Sequence, residues 1–312
     1  MRVLVTGGAG FIGSHLVDGL VERGDDVVVL DDLATGLVAN VPDAARFVEG
    51  DVTDEVALAK AIDGCDVVFH QAALGSVTRS VAQPRVSDRA NVAGTVAVLD
   101  AAQRTGVRRV VLASSSSVYG GATEAPTPES APLAPRSPYA VTKLAGEHYA
   151  RVFWELHGLE TVCLRYFNVF GPRQRPDAQY AAVIPLFIDA LLSGRPPVVH
   201  GDGRQSRDFT FVADAVQANL RAAGAPAAAC AGRAFNVARG EPASLLDLLD
   251  ILAGELGVTP HPTHGPTRAG DVRHSHADIS AARAALGYEP EVSLRDGLVR
   301  TLAWFREARV SG

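Results

Sequence analysis

Ser137-Pro138-Tyr139-Ala140-Val141-Thr142-Lys143 places a phenol and an ammonium at i and i+4, on one face of a helix that the proline is suited to start. A tyrosine ordinarily titrates at about 10. A neighbouring cation stabilises the phenolate, so Tyr139 is expected to fall towards neutrality, where it can serve as a general base. Upstream lies Ser114-Ser115-Ser116-Ser117-Val118-Tyr119-Gly120, directly after an apolar run. Hydroxyls at the carboxyl end of a sheet strand point into the crevice where open α/β sheets bind their ligands. Tyr-x-x-x-Lys alone is a common spacing and gains weight only from its companions.

The first companion is Thr6-Gly7-Gly8-Ala9-Gly10-Phe11-Ile12-Gly13, which follows the apolar Val3-Leu4-Val5. A strand that breaks into glycines and then opens a helix is suited to a dinucleotide pyrophosphate. Glycine lets the backbone turn tightly, and the helix N-terminus offers unpaired N–H groups and a positive dipole end. The spacing is G-x-x-G-x-x-G rather than the commoner G-x-G-x-x-G. The second strand ends at Asp31-Asp32. A carboxylate there accepts from the adenosine ribose hydroxyls and repels a 2′-phosphate, which selects NAD over NADP; a plain turn cap is the alternative. Asp51-Val52 can meet the adenine edge, and the small Ala72 and Ala73 after Gln71 leave room for the cofactor backbone. Ser114, Tyr139, Lys143 and Tyr166 are further expected cofactor contacts, while Asp51 and Asn91 read equally as loop chemistry or cofactor contacts until a family resemblance is added. With NAD present, its nicotinamide cation adds to the effect of Lys143 on Tyr139.

Apolar runs alternating with amphipathic stretches supply the scaffold. Strands are expected at Val3–Thr6, Val27–Leu30, Arg46–Val48, Val67–His70, Arg109–Ala113 and Thr161–Arg165. Helices are expected at Ser14–Glu22, Glu55–Ile62, Val86–Thr105 and Pro138–His157. The pattern predicts an α/β fold, a doubly wound parallel (Rossmann) sheet with a smaller α/β C-terminal domain. Residues 1–165 form the first unit, with 209–237 returning to it through a strand Phe209–Phe211 and a helix Asp214–Ala223. Residues 166–208 and 238–312 form the second, with helices at Val183–Leu192, Ser244–Leu256, Ile279–Leu286 and Leu294–Arg306. Residues 225–231 read as an exposed helix-to-strand connection.

Composition narrows the class. The chain has 312 residues, 47% hydrophobic and 21% charged, enough for a substantial core. A net charge of −6 without a basic block gives no footprint for nucleic acid. No apolar run approaches the ~18 residues of a membrane span, and the N-terminus already reads as a strand, so no leader is expected. Cys65, Cys163 and Cys230 are scattered among apolar residues and are expected to be reduced core thiols, which suits a cytoplasmic protein. His261, His264, His274 and His276 lack the carboxylates or cysteines that would complete a metal site, so none is expected.

With the glycine turn, Asp31, the serine strand and the Tyr/Lys pair together, the chain resembles the extended short-chain dehydrogenase/reductase family over essentially its whole length. The resemblance implies Tyr139 as base, Lys143 as ribose anchor and tuner, and Ser115 as hydroxyl partner. It also implies NAD contacts at Gly7, Gly10, Gly13, Asp31, Asp51 and Val52. Members that eliminate water carry an acidic pair where Ser116 and Ser117 stand, and decarboxylases place a glutamate at the second position. Epimerisation at C4 of a nucleotide sugar needs neither.

Leu164-Arg165-Tyr166-Phe167-Asn168-Val169-Phe170-Gly171 resembles the epimerase segment whose asparagine meets the sugar diphosphate. Ser206-Arg207-Asp208-Phe209 and Arg268-Ala269-Gly270-Asp271 resemble the arms that hold diphosphate and uridine ribose, and forked guanidinium donors suit that task. Ala73 to Val77 (with Ser76), Tyr180 to Pro185 (with Ala182 and Val183) and Gly270 to Ser275 resemble UDP-N-acetylglucosamine 4-epimerases. At Ser275 the family faces the sugar's C2 substituent, where a small side chain leaves volume for N-acetyl. Gly171-Pro172-Arg173-Gln174-Arg175-Pro176-Asp177 instead resembles UDP-glucuronate 4-epimerases, in which an arginine at the place of Arg175 approaches a C6 carboxylate. A UDP-sugar substrate is therefore expected, with N-acetylhexosamine, hexose and uronate all open. Family members commonly form homodimers through the helices matching Val86–Thr105 and Pro138–His157. Val92, Val96 and Leu99 suit either that interface or the chain's own sheet.

Overall fold

The computed structural model describes residues 1–121, 125–175, 182–267 and 272–310. Seven parallel strands form the main sheet: β1 (Arg2–Thr6), β2 (Asp26–Asp31), β3 (Arg46–Glu49), β4 (Val67–His70), β5 (Arg109–Ser115), β6 (Glu160–Tyr166) and, later in the chain, β11 (Arg233–Val237). Their order is β3-β2-β1-β4-β5-β6-β11, so the direction of winding reverses between β1 and β4, the place where such sheets open a crevice.

Both faces of the sheet are covered, which is why the strands read as continuous apolar runs. Successive residues go to opposite sides. Val3, Val5, Val27, Val29 and Phe69 face one cluster with α1 (Phe11–Glu22) and α8 (Val212–Gly224). Leu4, Val28, Leu30, Val68 and Val110 face another with α2 (Glu55–Ile62) and α5 (Gly94–Thr105). The helix α6 (Pro138–His157) adds Ala150 and Phe153 to this second side. Arg109, 1% exposed, fastens α8 to the start of β5 by donating to the carbonyls of Ala222 and Ala225 at 2.7 Å each, a favourable place for a cation at a helix C-terminus.

The helix expected at Val86–Thr105 is present with a π-helical turn inside it, its backbone staying right-handed helical across both junctions. After α3 (Val77–Ala82), α4 (Pro84–Asp88) runs into a π-helical turn at Arg89–Ala93 before α5 begins. Such a turn rotates the side chains that follow, and it directs Asn91 inward. Leu99 lies in the sheet's own core, whereas Val92 and Val96 are half-buried.

Beyond β6 the strands are short. They are β7 (Val169–Phe170), β8 (Val198–His200), β9 (Ser206–Asp208), β10 (Thr210–Phe211), β12 (Pro242–Ser244) and β13 (Thr263–Gly265). The strand expected at Phe209–Phe211 shrinks to β10 and pairs with β7, not with the main sheet. The reason is that Phe209 and Phe211 go to a third core, shared with α7 (Val183–Leu192), α10 (Leu245–Leu256) and α12 (Leu294–Val310). The seventh strand of the main sheet is β11, whose Asn236 interrupts the apolar pattern. Its side chain is buried and accepts from the Tyr119 hydroxyl at 2.7 Å while donating to the carbonyls of Thr127 and Asp278. The 225–231 connection contains α9 (Ala227–Cys230), and Cys230 is fully buried rather than exposed. The helix α11 (Ser280–Leu286) completes the fold. Among the described residues no helix is long and apolar enough to cross a membrane, and all three cysteines are free and buried.

Candidate active site

At the crevice beside β1 and β4 lies a cavity of about 650 Å³, lined on one wall by the glycine turn and on the other by Ser114, Ser115, Tyr139 and Lys143. The glycines are demanded by contact. Gly7 has φ 70, and a Cβ on it would sit 2.6 Å from the Ala72 nitrogen. A Cβ on Gly13 would fall 2.0 Å from the Gly7 carbonyl oxygen. The helix behind them starts at Gly10, which supplies no side-chain cap, and its first turn contains no acidic residue. The turn and the open helix N-terminus thus make a cradle of the kind a diphosphate fits.

Asp31 ends β2 almost fully buried, accepting from the Ala9 N–H at 2.9 Å and the Leu33 N–H at 2.8 Å, one on each oxygen. It therefore does cap a turn, yet each carboxylate oxygen keeps an acceptor site for a ribose hydroxyl. Burial pushes its carboxyl up, and the two backbone donors pull it back. Asp32 also lines the cavity and accepts from Ala34 N–H. Asp51 accepts from the backbone and hydroxyl of Thr53 and lies 3.7 Å from the Arg89 guanidinium. Phe11, Ile12, Val52, Ala72 and Ala73 line the same space. Gln71 hydrogen-bonds both Tyr166 and Asn219, and those two bond each other at 2.7 Å. Asn91 lies behind the wall: it accepts from Leu74 N–H at 2.8 Å and donates to Thr142 at 3.0 Å, tying the loop after β4 to α6. The glycine turn, the open helix N-terminus and the carboxylates along this wall suit a dinucleotide such as NAD.

On the other wall, Lys143 Nζ donates to the Ala113 carbonyl at 2.8 Å and stands 6.0 Å from the Tyr139 ring centre. Ser115, at the end of β5, brings its hydroxyl near the Tyr139 phenol. The expectation of an acidic phenol is not met in the protein alone. Burial raises the Tyr139 hydroxyl above its ordinary value, and the nearby Ser115 hydroxyl only partly offsets this. Burial likewise lowers Lys143 to about 8, opposed by the nearby Glu147 carboxylate. The physical reason is that both groups are enclosed, and the lysine proton is held on a backbone carbonyl rather than on the phenol.

Other residues singled out in the sequence surround this centre. Asn168 and Gln174 line the cavity. Asn168 adopts φ 36 and donates to the Asp208 carbonyl at 3.3 Å. Ser116 and Ser117 form a short 3-10 turn, where the Ser117 N–H donates to the Ser115 hydroxyl. Ser76 caps α3, and Ala182 and Val183 open α7. Arg207 on β9 and Ser275 are brought close, since Ser275 N–H donates to the Ser206 carbonyl at 3.1 Å. These residues, with Val77 and Arg175, stand outside the cavity lining itself. Arg268, Asp271 and the stretch from Pro176 to Ala181 lie outside the described residues. The histidines go elsewhere: His264 to the Gly201 carbonyl, His274 to the Ser206 hydroxyl and His276 to the Gly240 carbonyl.

Sequence reasoning passed over Glu147 and Arg165, a buried pair with two bonds at 2.9 and 2.7 Å. Glu147 is four residues past Lys143, on the same helical face as Tyr139, and that spacing was a readable signal. His70, on β4, was passed over as well.

The family model described as NAD dependent epimerase/dehydratase matches residues 3–238. The chain belongs to this family. It is an NAD-dependent enzyme of that kind, and the glycine cradle and Tyr139 wall both fall within the matched region. A UDP-glucose 4-epimerase of Mycolicibacterium smegmatis is 43% identical over 313 residues, covering 98% of this chain and 99% of that protein. A dTDP-glucose 4,6-dehydratase of an Actinoplanes species is 37% identical over 324 residues, covering 99% of each. Among solved structures, the UDP-N-acetylglucosamine 4-epimerase of Methanobrevibacter ruminantium M1, in complex with UDP-N-acetylmuramic acid, superposes with a TM-score of 0.93 at 38% identity, covering 98% of both chains.

Proposed function

We propose that this chain interconverts UDP-hexoses at C4, accepting N-acetylated as well as plain sugars, through a 4-keto sugar. The observation that carries this reading is the wall formed by Ser115, Tyr139 and Lys143, with hydroxyls rather than acids at Ser116 and Ser117, facing the glycine cradle across one cavity. When bound, NAD supplies the reversible hydride acceptor that such an exchange requires. Tyr139 has the proton to manage: it takes the proton of the 4-hydroxyl as the ketone forms and returns it as the alcohol of opposite configuration is made. Ser115 offers its hydroxyl beside the phenol, and Lys143 supplies positive charge nearby. Dehydration would need an additional acid and base, and the two serines supply neither.

Arg207 and Arg268 are assigned to the diphosphate, Asp271 to the uridine ribose and Ser275 to the space beside C2. Arg175 supports a second reading as a UDP-uronate 4-epimerase, because it directly follows the cavity-lining Gln174 and carries the charge a C6 carboxylate calls for. Incubation of the purified protein with UDP-glucose, UDP-N-acetylglucosamine and UDP-glucuronate, followed by NMR of C4 epimers, separates these readings. A 4-keto-6-deoxy product would overturn both.

The chain is also proposed to pair with a second copy through α6. Val141, Tyr149, Val152 and Leu156 are exposed on one face of that helix, an apolar stripe of helical spacing. Light scattering is expected to give twice the chain mass, and a monomer mass at all concentrations would count against it.

A further inference from the structure

The loop from Gly171 to Arg175 contains backbone that its own sequence disfavours. Arg173 has φ 65, in the left-handed region that side chains rarely adopt. The next residue, Gln174, lines the cavity. Gln174 Nε2 donates to the Val169 carbonyl at 3.2 Å, which fixes its amide so that Oε1 is the acceptor. That oxygen is buried and has no protein partner, so it is suited to a donor on a bound molecule, a sugar hydroxyl or an amide N–H.

What holds this loop comes from outside it. His15 Nε2 donates to the Pro172 carbonyl at 2.9 Å. A carbonyl can only accept, so the histidine must carry its proton on that nitrogen. Asp18, one turn further along α1, pairs with Arg173 at 2.7 Å, both side chains about one-quarter to one-third exposed. The same helix begins in the cradle: Phe11 and Ile12 line the cavity and pack against the C-terminal core. The Phe11 ring meets His15 edge-on, with centres 6.0 Å apart.

We infer that His15 and Asp18 form a latch from the cofactor helix α1 onto the loop Pro172–Gln174, and that this latch sets substrate affinity by holding Gln174 at the cavity. They are positioning residues, which touch the loop rather than the ligands. Through them the helix that receives the dinucleotide diphosphate and the loop that faces the sugar move as one body. The sugar-facing part of this inference rests on the proposed function.

The test uses His15→Ala and Asp18→Asn proteins purified with their resident cofactor. KM for the UDP-sugar that the wild type turns over is expected to rise roughly three- to tenfold, with kcat within about twofold and cofactor content unchanged. The exchanged pair, Asp18→Arg with Arg173→Asp, is expected to bring KM back to within about twofold of wild type. If KM is unmoved in both single variants, or if cofactor content and kcat fall together with it, the latch is refuted. Should a helix variant fail to fold, Arg173→Ala breaks the pair from the loop side and is judged by the same readout. A wild type that epimerises no UDP-sugar defeats the proposed function. The latch is then judged by calorimetric binding of UDP-glucose to the same variants, where unchanged affinity refutes it independently.

Discussion

The Ser114 hydroxyl donates to Glu147 Oε1 at 2.5 Å, joining the end of β5 to the middle of α6. This bond sits between the working groups: Ser115 is the next residue on the strand, and Lys143 lies one helical turn before Glu147. The carboxylate also receives both Nε and Nη2 of Arg165, whose Nη1 donates to the Tyr119 hydroxyl at 2.7 Å. The strand that carries Ser115 and the helix that carries Tyr139 are therefore joined through Glu147, whose carboxylate also pairs with Arg165 on β6.

Removing one member of such a pair leaves the other charge enclosed and uncompensated, at a cost of about 3–5 kcal/mol. Glu147→Gln is expected to lower stability by that order, read as a fall in the urea midpoint at unchanged slope. Replacing both partners with Met removes the desolvation cost along with the attraction. The double variant is expected to regain most of the loss. A Glu147→Gln midpoint equal to wild type would mean that the pair does not hold the two elements together.

The proposed catalytic groups carry opposite requirements for protons. Tyr139 must give up its proton, which burial resists, while Lys143 must keep one that burial lowers to about 8. With the phenol raised above the ammonium, the working pair of phenolate and Lys143 cation has lost one proton in all, so activity is expected to increase with pH up to about 8 and to level off above it. Lys143→Arg keeps its charge far above that range, so activity is expected to go on rising past pH 8 even if the rate is lower. A profile that levels off at the same pH in wild type and Lys143→Arg would detach the bend from this lysine. Tyr139→Phe is expected to lose about 10²–10⁴ in kcat while retaining cofactor, measured by turnover and by cofactor released on denaturation.

The order of elements was legible because parallel strands buried on both faces leave unbroken apolar runs. Val67–His70, Glu55–Ile62 and Pro138–His157 were readable to the residue. The glycine turn was equally plain, since contacts at Gly7 and Gly13 leave no other residue type possible there. What escaped was set by distant partners. β11 hid its polarity at Asn236, which is satisfied by Tyr119, Thr127 and Asp278, all far away in the chain. Phe209 and Phe211 read as a sheet strand because alternation records burial and not which core receives the side chain. The rise of the phenol's pKa in the protein alone escaped because two residues on one helical face do not reveal how dry that face is.

His70 offers a test of a residue that the sequence concealed. Thr95 commits its hydroxyl proton to the Asn91 carbonyl at 2.6 Å, so it must accept from His70 Nε2 at 3.0 Å. His70 Nδ1 then accepts from the Thr6 hydroxyl at 2.8 Å. The ring is neutral and spans the cofactor wall, from Thr6 to the π-helical turn. Burial, aided by the charge of Lys143, lowers its pKa to about 3. An unfolded chain regains the ordinary value near 6.5, so between these pH values it binds a proton that the folded protein refuses. Stability is therefore expected to decline as pH falls below about 6.5. His70→Gln should flatten that decline, seen as a smaller shift of the urea midpoint between neutral pH and about pH 5. An equal shift in both proteins would assign the acid sensitivity to other groups.

Substrate choice gives the last prediction. Ser275 is small, half-buried and fixed beside Arg207 by its bond to the Ser206 carbonyl. If its size makes room beside C2, Ser275→Tyr adds a ring where an N-acetyl group must fit. kcat/KM for UDP-N-acetylglucosamine is then expected to fall at least about tenfold more than that for UDP-glucose. Equal losses on both sugars would mean that the tyrosine disturbs the arm as a whole, and the volume assignment would be withdrawn. Arg175→Ala provides the opposite selectivity: if a C6 carboxylate is bound there, the loss of a charge-assisted contact costs UDP-glucuronate roughly tenfold or more and leaves neutral sugars nearly unchanged. The two substitutions act on opposite sides of the sugar ring. Measured on the same three substrates, a neutral-sugar enzyme responds to Ser275→Tyr and ignores Arg175→Ala, whereas a uronate enzyme responds to the arginine.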